Sequence, residues 1–318
     1  MMEKAEASVS EDETKTTEKP TRAGFVALIG ATNAGKSTLL NQLVGSKVAI
    51  VTHKVQTTRS VIRGIAMHDD AQIIFLDTPG IFAPKKRLEK AMVTSAWSSA
   101  ADADVLAVLI DARAGLEGGA LAILDRLQES GAPAQKRVLI LNKIDLVKRE
   151  TLLALAAEAN ARLSFAQTFM VSALTGDGIG DLLNYFAGEM PQSPYLYPED
   201  QVSDIPMRSL AAEVTREKLM LRLHQEVPYA ATVETESWEE KKDGSVRISQ
   251  VIYVARESQR KIVLGKDGET IKAISIAARR ELHHMLGRKV HLFLFVKVRG
   301  RWADDPERYR EMGLEFPR

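Results

Sequence analysis

The sequence predicts two domains of different fold classes, a doubly wound α/β domain followed by a smaller α+β domain. From residue 25 onward, short and almost wholly apolar segments alternate with helix-like segments. Strands that are covered by helices on both faces have continuous apolar runs of this kind. After residue 190 the alternation stops, and a helix, two strands, two helices and a last strand follow in that order.

The composition is that of a soluble globular protein, with 45% hydrophobic and 27% charged residues. The absence of cysteine excludes disulfides, thiolate metal sites and cysteine nucleophiles. No apolar run reaches the ~18 residues that a membrane-spanning helix needs, and the acidic N-terminus is unlike a signal peptide. We expect a cytoplasmic monomer without a transmembrane segment.

Four regions are predicted along the chain. Residues 1–22 are charged and of low complexity, which is typical of a disordered tail. Residues 23–190 form the α/β domain, with strands at FVALIG, AQIIFLD, DVLAVLID, KRVLILNK and QTFMVSA. Residues 191–206 contain four prolines and are predicted to be a linker. Residues 207–318 form the α+β domain, in which a Lys-Asp-Gly turn predicts a hairpin.

The first strand leads into GATNAGKST, which matches the phosphate-binding pattern G-x-x-x-x-G-K-[ST] of a P-loop. The glycines let backbone N–H groups converge on phosphate oxygens, and the following helix adds its positive N-terminal dipole. Lys36 is expected to reach the β- and γ-phosphates, and Ser37 to bind Mg²⁺. The predicted phosphate-binding residues are Gly30, Ala31, Asn33, Ala34, Gly35, Lys36, Ser37 and Thr38.

A second strand ends in FLDTPG, which places Asp77 where a P-loop domain holds Mg²⁺. The N–H of Gly80 is expected to contact the γ-phosphate. In the preceding segment VTHKVQTTRSV, either Thr57 or Thr58 could complete the Mg²⁺ shell, and we favour Thr58. The predicted catalytic residues are Lys36, Thr58, Asp77 and Gly80, and the predicted metal ligands are Ser37, Thr58 and Asp77.

Two later motifs, LNKIDL and SALTGDG, predict that the base is guanine. The carboxylate of Asp145 can accept two parallel hydrogen bonds from guanine, whereas adenine offers no such pair. Asn142 is expected to brace its loop against the P-loop, and the stem of Lys143 to cover the base. Ser172 and Ala173 are expected to offer a backbone N–H to the guanine oxygen. The motifs in this order predict a GTPase domain.

One position departs from Ras-like GTPases, in which a glutamine after Asp-x-x-Gly orients the attacking water. Here that position is Ile81, which has no hydrogen-bonding group. Unaided hydrolysis of GTP to GDP and phosphate is therefore expected to be slow.

A second glycine turn lies between two helix-like segments of the α+β domain. It lacks G-K-[ST] and no apolar strand leads into it, so a second P-loop is excluded. Helix, G-x-x-G turn and helix form the KH arrangement, which clamps about four single-stranded nucleotides. The order of the strands fits the type II KH domain of bacterial ribosomal proteins. The predicted RNA-binding residues are Ile262, Val263, Gly265, Lys266, Asp267, Gly268, Arg279 and Arg280.

Charge is distributed unevenly, although the net charge is only +1. Residues 256–301 contain twelve Lys or Arg and four Asp or Glu, so their net charge of +8 leaves −7 for the rest. This asymmetry favours a polyanion as the partner of one domain. Arg279, Arg280, Lys289 and Lys297 are expected to create a positive field around the G-x-x-G turn.

The chain resembles the Era-type GTPases from about Gly24 to Asp305. The resemblance rests on GATNAGKSTLLNQLVG, QTTR, DTPGI, NKID, SALTG, VLGKDGETIK and FLFVKVRGRWADD, in this order. It implies a bacterial GTPase that binds the 3′ end of small-subunit ribosomal RNA and assists maturation of the 30S-type subunit. It also implies peripheral association with the inner membrane. In some relatives an asparagine at the place of Asn33 helps to hold K⁺; here Asn33 could do so or could only shape the loop.

Three interpretations differ in class. The favoured one is a molecular switch, in which GTP orders the segments around Thr58 and Ile81 and repositions the KH domain through the linker. The second is a constitutive RNA-binding assembly protein in which nucleotide is mainly a structural ligand. The third, a metabolic kinase, is disfavoured by Asp145 and by the lack of an acceptor-site motif.

Overall fold

The computed structural model describes residues 20–130, 136–300 and 305–317. These residues form a six-stranded sheet with helices on both faces and a three-stranded sheet with helices on one face. Except for its last three residues, the predicted N-terminal tail lies outside the described part of the chain. Within the described ranges, no helix is both long and apolar enough to cross a membrane.

The first domain follows the α/β order that the sequence predicts. Its strands are β1 (Arg22–Gly30), β2 (Ile62–His68), β3 (Ala71–Asp77), β4 (Val105–Asp111), β5 (Lys136–Asn142) and β6 (Gln167–Val171). Its helices are α1 (Lys36–Val44), α2 (Arg87–Ala101), α3 (Gly119–Glu129), α4 (Arg149–Arg162) and α5 (Ile179–Glu189). The strand order is β2-β3-β1-β4-β5-β6, and only β2 runs antiparallel to its neighbour.

Strand β2 is the strand that the sequence analysis did not predict. Its segment IRGIAMH contains the exposed Arg63 and a glycine, which interrupt the apolar run typical of the covered strands. As an antiparallel strand at the edge of the sheet, β2 needs only one buried face. The other strands are parallel, so their carboxyl ends meet at one edge, where Gly30, Asp77, Asp111 and Asn142 end β1, β3, β4 and β5.

The second domain has the type II KH order. Its elements are α6 (Met207–Arg222), β7 (Ala231–Glu240), β8 (Val246–Val254), α7 (Glu257–Leu264), α8 (Glu269–Leu286) and β9 (Val290–Val298). Strand β8 is antiparallel to β7, as the hairpin prediction requires, and parallel to β9. Helices α6, α7 and α8 all pack on one face of this sheet. A short helix, α9 (Pro306–Glu311), follows and was not predicted.

The predicted linker is bound to the surface of the first domain. The buried Gln72 side chain accepts hydrogen bonds from the backbone N–H groups of Leu196 and Tyr197 and donates to the Tyr197 carbonyl oxygen. Ile65 N–H donates to the Val202 carbonyl oxygen. These bonds fix the path of the chain between the two domains.

Replacing the buried Gln72 by leucine removes three part-buried hydrogen bonds between this side chain and the linker backbone. We expect the Gln72→Leu variant to lose about 2–4 kcal/mol of unfolding free energy, because each such hydrogen bond contributes about 0.5–1.5 kcal/mol. Urea unfolding measures this loss. The matched Gln128→Leu variant, at an exposed position on α3, should change stability by less than about 0.5 kcal/mol; equal effects of the two changes would contradict this account of the linker.

Candidate functional site

The P-loop lies at the edge where the parallel strands end. Gly35, at the start of α1, has φ +96°, and a Cβ atom there would lie 2.3 Å from Asn142 Nδ2. Only glycine fits this position without a clash, because the conformation and the space both exclude a side chain. The backbone of the P-loop is therefore packed closely against Asn142 at the end of β5.

Lys36 is held inside the P-loop. Its ammonium group donates to the carbonyl oxygens of Gly30 at 3.1 Å and Ala31 at 3.0 Å. Burial lowers the pKa of Lys36 to about 8, and the nearby Asp77 carboxylate opposes this shift. At pH 7 the group is therefore mainly charged, as an ammonium that meets phosphate must be.

Three oxygen atoms converge beside Lys36. Ser37 Oγ donates to Asp77 Oδ2 at 2.6 Å and lies 2.9 Å from Thr58 Oγ1, which is 3.4 Å from the same carboxylate oxygen. Burial raises the pKa of Asp77 to about 6, although Lys36 and the two hydroxyl groups oppose the shift. The structure thus brings together the three residues that the sequence predicts as metal ligands.

This cluster fits Mg²⁺. Asp77 is fully buried, and its second carboxylate oxygen, Oδ1, has no hydrogen-bond partner among the described residues. A buried carboxylate without full pairing is costly, and oxygen ligands are those that Mg²⁺ prefers. Thr58 belongs to this cluster, whereas the hydroxyl of Thr57 faces away and donates to the Lys54 carbonyl oxygen at 2.7 Å.

The segment after Asp77 is locked to the P-loop. Ile81 N–H donates to the Gly30 carbonyl oxygen at 3.1 Å, and a Cβ at Gly80 would lie 2.9 Å from Thr32 Cα. The Ile81 side chain is buried in the core beside α3. It therefore gives a water molecule nothing to bind, in agreement with the sequence-based expectation.

Asn142 connects three loops at the edge of the sheet where the strands end: the P-loop, the loop after β5 and the loop after β6. Its Nδ2 donates to the Ala34 carbonyl oxygen at 2.9 Å, and its Oδ1 accepts from the N–H groups of Lys143 and Ala173. The predicted brace to the P-loop is present. The Ala173 N–H is engaged by Asn142 and the Ser172 N–H by the Asp177 carbonyl oxygen, so the two expected donors to guanine already have partners in this conformation.

Ser172 has a different contact, with its side chain. Its hydroxyl donates to Asp145 Oδ1 at 2.6 Å, which orients the exposed carboxylate at the open end of the site. From the sequence, Ser172 is predicted to have only a backbone role. The side-chain role has a signal in the sequence, because the serine follows the end of the strand next to that of Asn142.

Asp111 and Arg113 were not predicted. Lys143 Nζ donates to Asp111 Oδ2 and to the Asn33 carbonyl oxygen, both at 2.6 Å, so Asp111 holds the lysine stem across the site. The P-loop, Lys143 and the segment around Thr58 line a cavity of about 360 Å³. The exposed Arg113 also lines this cavity. Asp111 ends a strand of the parallel sheet, and that position is the signal that could have identified it.

The G-x-x-G turn is a single helical turn between α7 and α8. Gly265, Asp267 and Gly268 all have positive φ, of 75°, 52° and 78°. A Cβ at Gly265 would lie 2.2 Å from Thr270 Oγ1, whereas one at Gly268 would meet nothing within 4 Å. The space beside Gly268 is therefore open to a ligand.

Two parts of the predicted RNA site need correction. Val263 is fully buried in the domain core, because α7 turns that side chain toward the sheet; of the two apolar residues predicted to bind RNA, Ile262 is the exposed one. Lys297 points to the opposite face of the sheet and pairs with Glu236 at 2.7 Å. Arg279 and Arg280 are exposed on α8, about 15 Å along the helix from the turn.

Comparisons with known proteins agree with this geometry. The family model of the 50S ribosome-binding GTPase matches residues 25–143, and that of the KH domain matches residues 226–303. The GTPase Era of Sinorhizobium medicae is 65% identical over 299 residues, covering 94% of this chain and 96% of the relative. The GTPase Era of Mesorhizobium japonicum is 67% identical over 304 residues, covering 95% and 97%.

Two solved structures match with a TM-score of 0.85 and 37% identity, covering 92% of this chain and 99% of theirs. One is Aquifex aeolicus Era bound to GDP and AlF4⁻. The other is Era in complex with MgGDPNP and nucleotides 1506–1542 of 16S ribosomal RNA.

The fold and the first site define a GTPase in which a P-loop domain precedes a KH domain. The predicted fold class and enzyme class are thus confirmed. The chain belongs to the GTPase Era family.

Asp145→Asn tests the assignment of the base. An asparagine keeps the acceptor for the Ser172 hydroxyl but loses one of two charged acceptors for guanine, which corresponds to roughly 3 kcal/mol or about 100-fold in GTP affinity. We expect xanthosine triphosphate to bind the variant better than GTP in a competition assay. The matched variant Asp177→Asn changes an exposed carboxylate of the neighbouring loop and should keep the GTP preference. Normal GTP binding by Asp145→Asn would disprove the assignment.

Proposed function

We propose that this chain is a GTP-controlled switch that binds the 3′ end of small-subunit ribosomal RNA and assists maturation of that subunit. The RNA is inferred from the Era complex with 16S ribosomal RNA and from the open space beside Gly268. GTP, with Mg²⁺, is inferred to occupy the cavity beside Lys36, and RNA the open space at the G-x-x-G turn.

Two adjacent residues connect the phosphate site to the second domain. They lie in the loop between α1 and β2, residues 45–61, and we call this loop the connecting loop. Thr58 lies in the oxygen cluster with Ser37 and Asp77. Arg59, the next residue, is buried against the second domain and donates to the carbonyl oxygens of Ala231 at 2.9 Å and Tyr229 at 3.1 Å. A change at the phosphate site therefore acts directly on a residue anchored in the KH domain.

Helix α6 holds the same loop at a second place. Arg216 Nη2 donates to the Thr57 carbonyl oxygen at 2.5 Å, and Lys54 donates to the carbonyl oxygens of Met220 and Leu223. Burial lowers the pKa of Arg59 to about 9, to which the nearby Arg216 also contributes. Arg59 thus depends on contacts that exist only while the loop and the KH domain are docked, whereas Arg216 also pairs with Glu213 of its own helix at 2.5 Å.

A network of four charged residues extends from the loop toward the RNA site. Glu217 on α6 accepts from Lys47 and from the Val51 N–H, both at 2.8 Å. Lys47 and Lys218 both pair with Glu281 on α8, the helix that begins at the G-x-x-G turn. The connecting loop and the G-x-x-G turn are therefore joined through α8. Glu281 lies about 18 Å along the helix axis from the turn.

The end of the described chain makes another connection between the domains. Tyr309 and Leu314 are buried against Met92 of α2, the helix that follows the Gly80–Ile81 segment. Before them, Arg299 pairs with Asp305 at 2.8 Å. The C-terminal residues thus connect the KH domain to α2, the helix that follows Gly80 and Ile81.

For hydrolysis, the chain supplies charge and orientation rather than a base. Lys36 would stabilise negative charge on the phosphates, and Asp145 and the stem of Lys143 would hold the base. Asn142 braces their loop against the P-loop. Ser37, Thr58 and Asp77 would hold Mg²⁺, which neutralises phosphate charge when bound. The Ile81 side chain has no group that could orient the attacking water. We therefore infer that GTP hydrolysis is slow unless a partner or an ion assists it.

Gly268→Asp tests the RNA site. The added carboxylate occupies open space at positive φ and repels the phosphate that should pass there, so RNA affinity should fall at least ~10-fold while GTP binding is unchanged. Fluorescence anisotropy with an oligonucleotide that copies the rRNA 3′ end measures this. Gly287→Asp is the matched control, at φ 62° with equally open space at the far end of α8. Unweakened RNA binding by Gly268→Asp would exclude the turn as the clamp.

Arg59→Lys tests the coupling. Lysine keeps the charge but cannot make the same forked contacts with two carbonyl groups. In the parent protein, RNA should change the affinity for a non-hydrolysable GTP analogue by about 5- to 150-fold; in the variant this factor should approach one. Titration calorimetry with and without RNA gives the factor. Arg63→Lys, at an exposed position on β2, serves as control, and a factor retained by Arg59→Lys would rule out Arg59 as the link.

Potassium is proposed as a catalytic aid. Asn33 Nδ2 lies 3.1 Å from the His53 carbonyl oxygen, so the P-loop amide sits beside a main-chain oxygen of the connecting loop. Carbonyl oxygens of this kind are K⁺ ligands. We expect GTP hydrolysis to be at least ~10-fold faster in KCl than in NaCl, and the Asn33→Ala variant to lose the difference. Equal rates of the parent protein in the two salts would contradict the role of K⁺.

A further inference from the structure

One face of the KH sheet is not covered by the domain's helices. The residues of β8 and β9 alternate, so that Ile248 and Leu292 face the helices. Their neighbours form the other face, which we call the outer sheet face; the register pairs Arg247 with His291 and Ser249 with Phe293. Phe295 continues this face along β9. On β8 and β9 it includes Arg247, Ser249, His291, Phe293 and Phe295, and β7 adds Glu239, whose register partner is Arg247.

The outer sheet face is open at one end only. At the other end Arg299 and Arg308 lie over the Tyr253 ring, 5.9 and 5.6 Å from its centroid. Towards the hairpin, Phe293 and Phe295 are 43% and 52% exposed. Two large aromatic side chains side by side on an exposed sheet mark a binding surface, because leaving them in water forgoes the stabilisation of burial.

The chemistry of this face suits an anionic, aromatic ligand. The Arg247 guanidinium lies 4.9 Å from the centroid of the Phe293 ring, which fixes a positive charge beside an aromatic surface. An adjoining groove of about 550 Å³ has three cationic side chains and one carboxylate. It is lined by Lys241, Lys242, Asp243, Ser245, Arg247, His291 and Phe293. Because Lys241 pairs with Glu239 of β7 at 2.8 Å, Lys242 and Arg247 are the cations offered to phosphate.

Stacking on exposed aromatic rings within a positive field is how sheet surfaces bind unpaired nucleotides. Phe293 and Phe295 are two residues apart on one strand, so their rings are spaced by about 7 Å. Lys297, which the sequence analysis expected at the G-x-x-G turn, also lies on this side of the sheet. One lysine of the charge excess of residues 256–301 is therefore placed away from the turn, where Glu236 pairs with it.

We propose that the outer sheet face is a second RNA-binding surface, on which unpaired bases stack against Phe293 and Phe295 while Arg247 and Lys242 meet phosphates. It would engage nucleotides beyond the short stretch held at the turn, on the other side of the same sheet. The proposal rests on the RNA-binding function inferred above.

The test compares two single-stranded RNAs, of about 8 and about 20 nucleotides, both containing the rRNA 3′ end. The double variant Phe293→Leu/Phe295→Leu keeps apolar volume but removes the stacking rings. It should lose about 5-fold or more in affinity for the long RNA, since each base that stacks on an aromatic ring adds to the affinity, and little for the short one. Unchanged affinity for the long RNA would overturn the proposal.

The variant Gly268→Asp separates this proposal from the function on which it rests. If Gly268→Asp weakens both RNAs and the double variant weakens neither, only the outer sheet face is excluded. If the parent protein binds neither RNA, the proposed function itself fails.

Two further measurements complete the test, and the first of them needs no variant. The parent protein is photo-crosslinked to the long RNA carrying 4-thiouridine, and we expect crosslinks within residues 290–298 as well as at the turn; crosslinks at the turn alone would contradict the second surface. Sedimentation with phosphatidylglycerol vesicles examines the alternative of a membrane contact. Loss of vesicle binding in the double variant, with RNA binding intact, would assign the face to membranes instead.

Discussion

The peptide bond between Thr58 and Arg59 is the constraint on which the two-domain arrangement depends. The hydroxyl of Thr58 lies with Ser37 and Asp77 at the phosphate site, and the guanidinium of Arg59 is buried among carbonyl groups of the KH domain. Because adjacent Cα atoms are only about 3.8 Å apart, neither side chain can move far without the other. The connecting loop is thus part of the phosphate site and of the contact between the two domains.

Burial makes this constraint energetically significant. Arg59, Arg216 and the Glu217 carboxylate are all nearly inaccessible to water. Arg59 donates to carbonyl groups across the domain boundary, and Arg216 and Glu217 have partners on both sides of it. Leaving one such group unpaired costs about 1–3 kcal/mol. The docked arrangement is therefore a discrete state rather than one of many loose orientations, which is what a switch with two distinct states requires.

The sequence predicted what depends on local pattern. The P-loop and Asp77 were identified because glycine spacing and strand ends carry their chemistry directly. The burial of Val263 could not be predicted in the same way, since an apolar residue on a short helix can face either the core or a ligand. The position of Lys297 on the outer sheet face, and the contacts of Arg59, depend on how strands and domains pack together, which residue spacing does not record.

The affinity for RNA in the two nucleotide states tests the central claim most directly. The protein is loaded with GDP or with a non-hydrolysable GTP analogue, and binding to an oligonucleotide that copies the rRNA 3′ end is measured at one fixed salt concentration, because salt alone changes such affinities. Coupling through the connecting loop predicts that the two dissociation constants differ by about 5- to 150-fold. Equal and tight binding in both states would contradict the switch, and would favour a constitutive RNA-binding protein in which the nucleotide is a structural ligand.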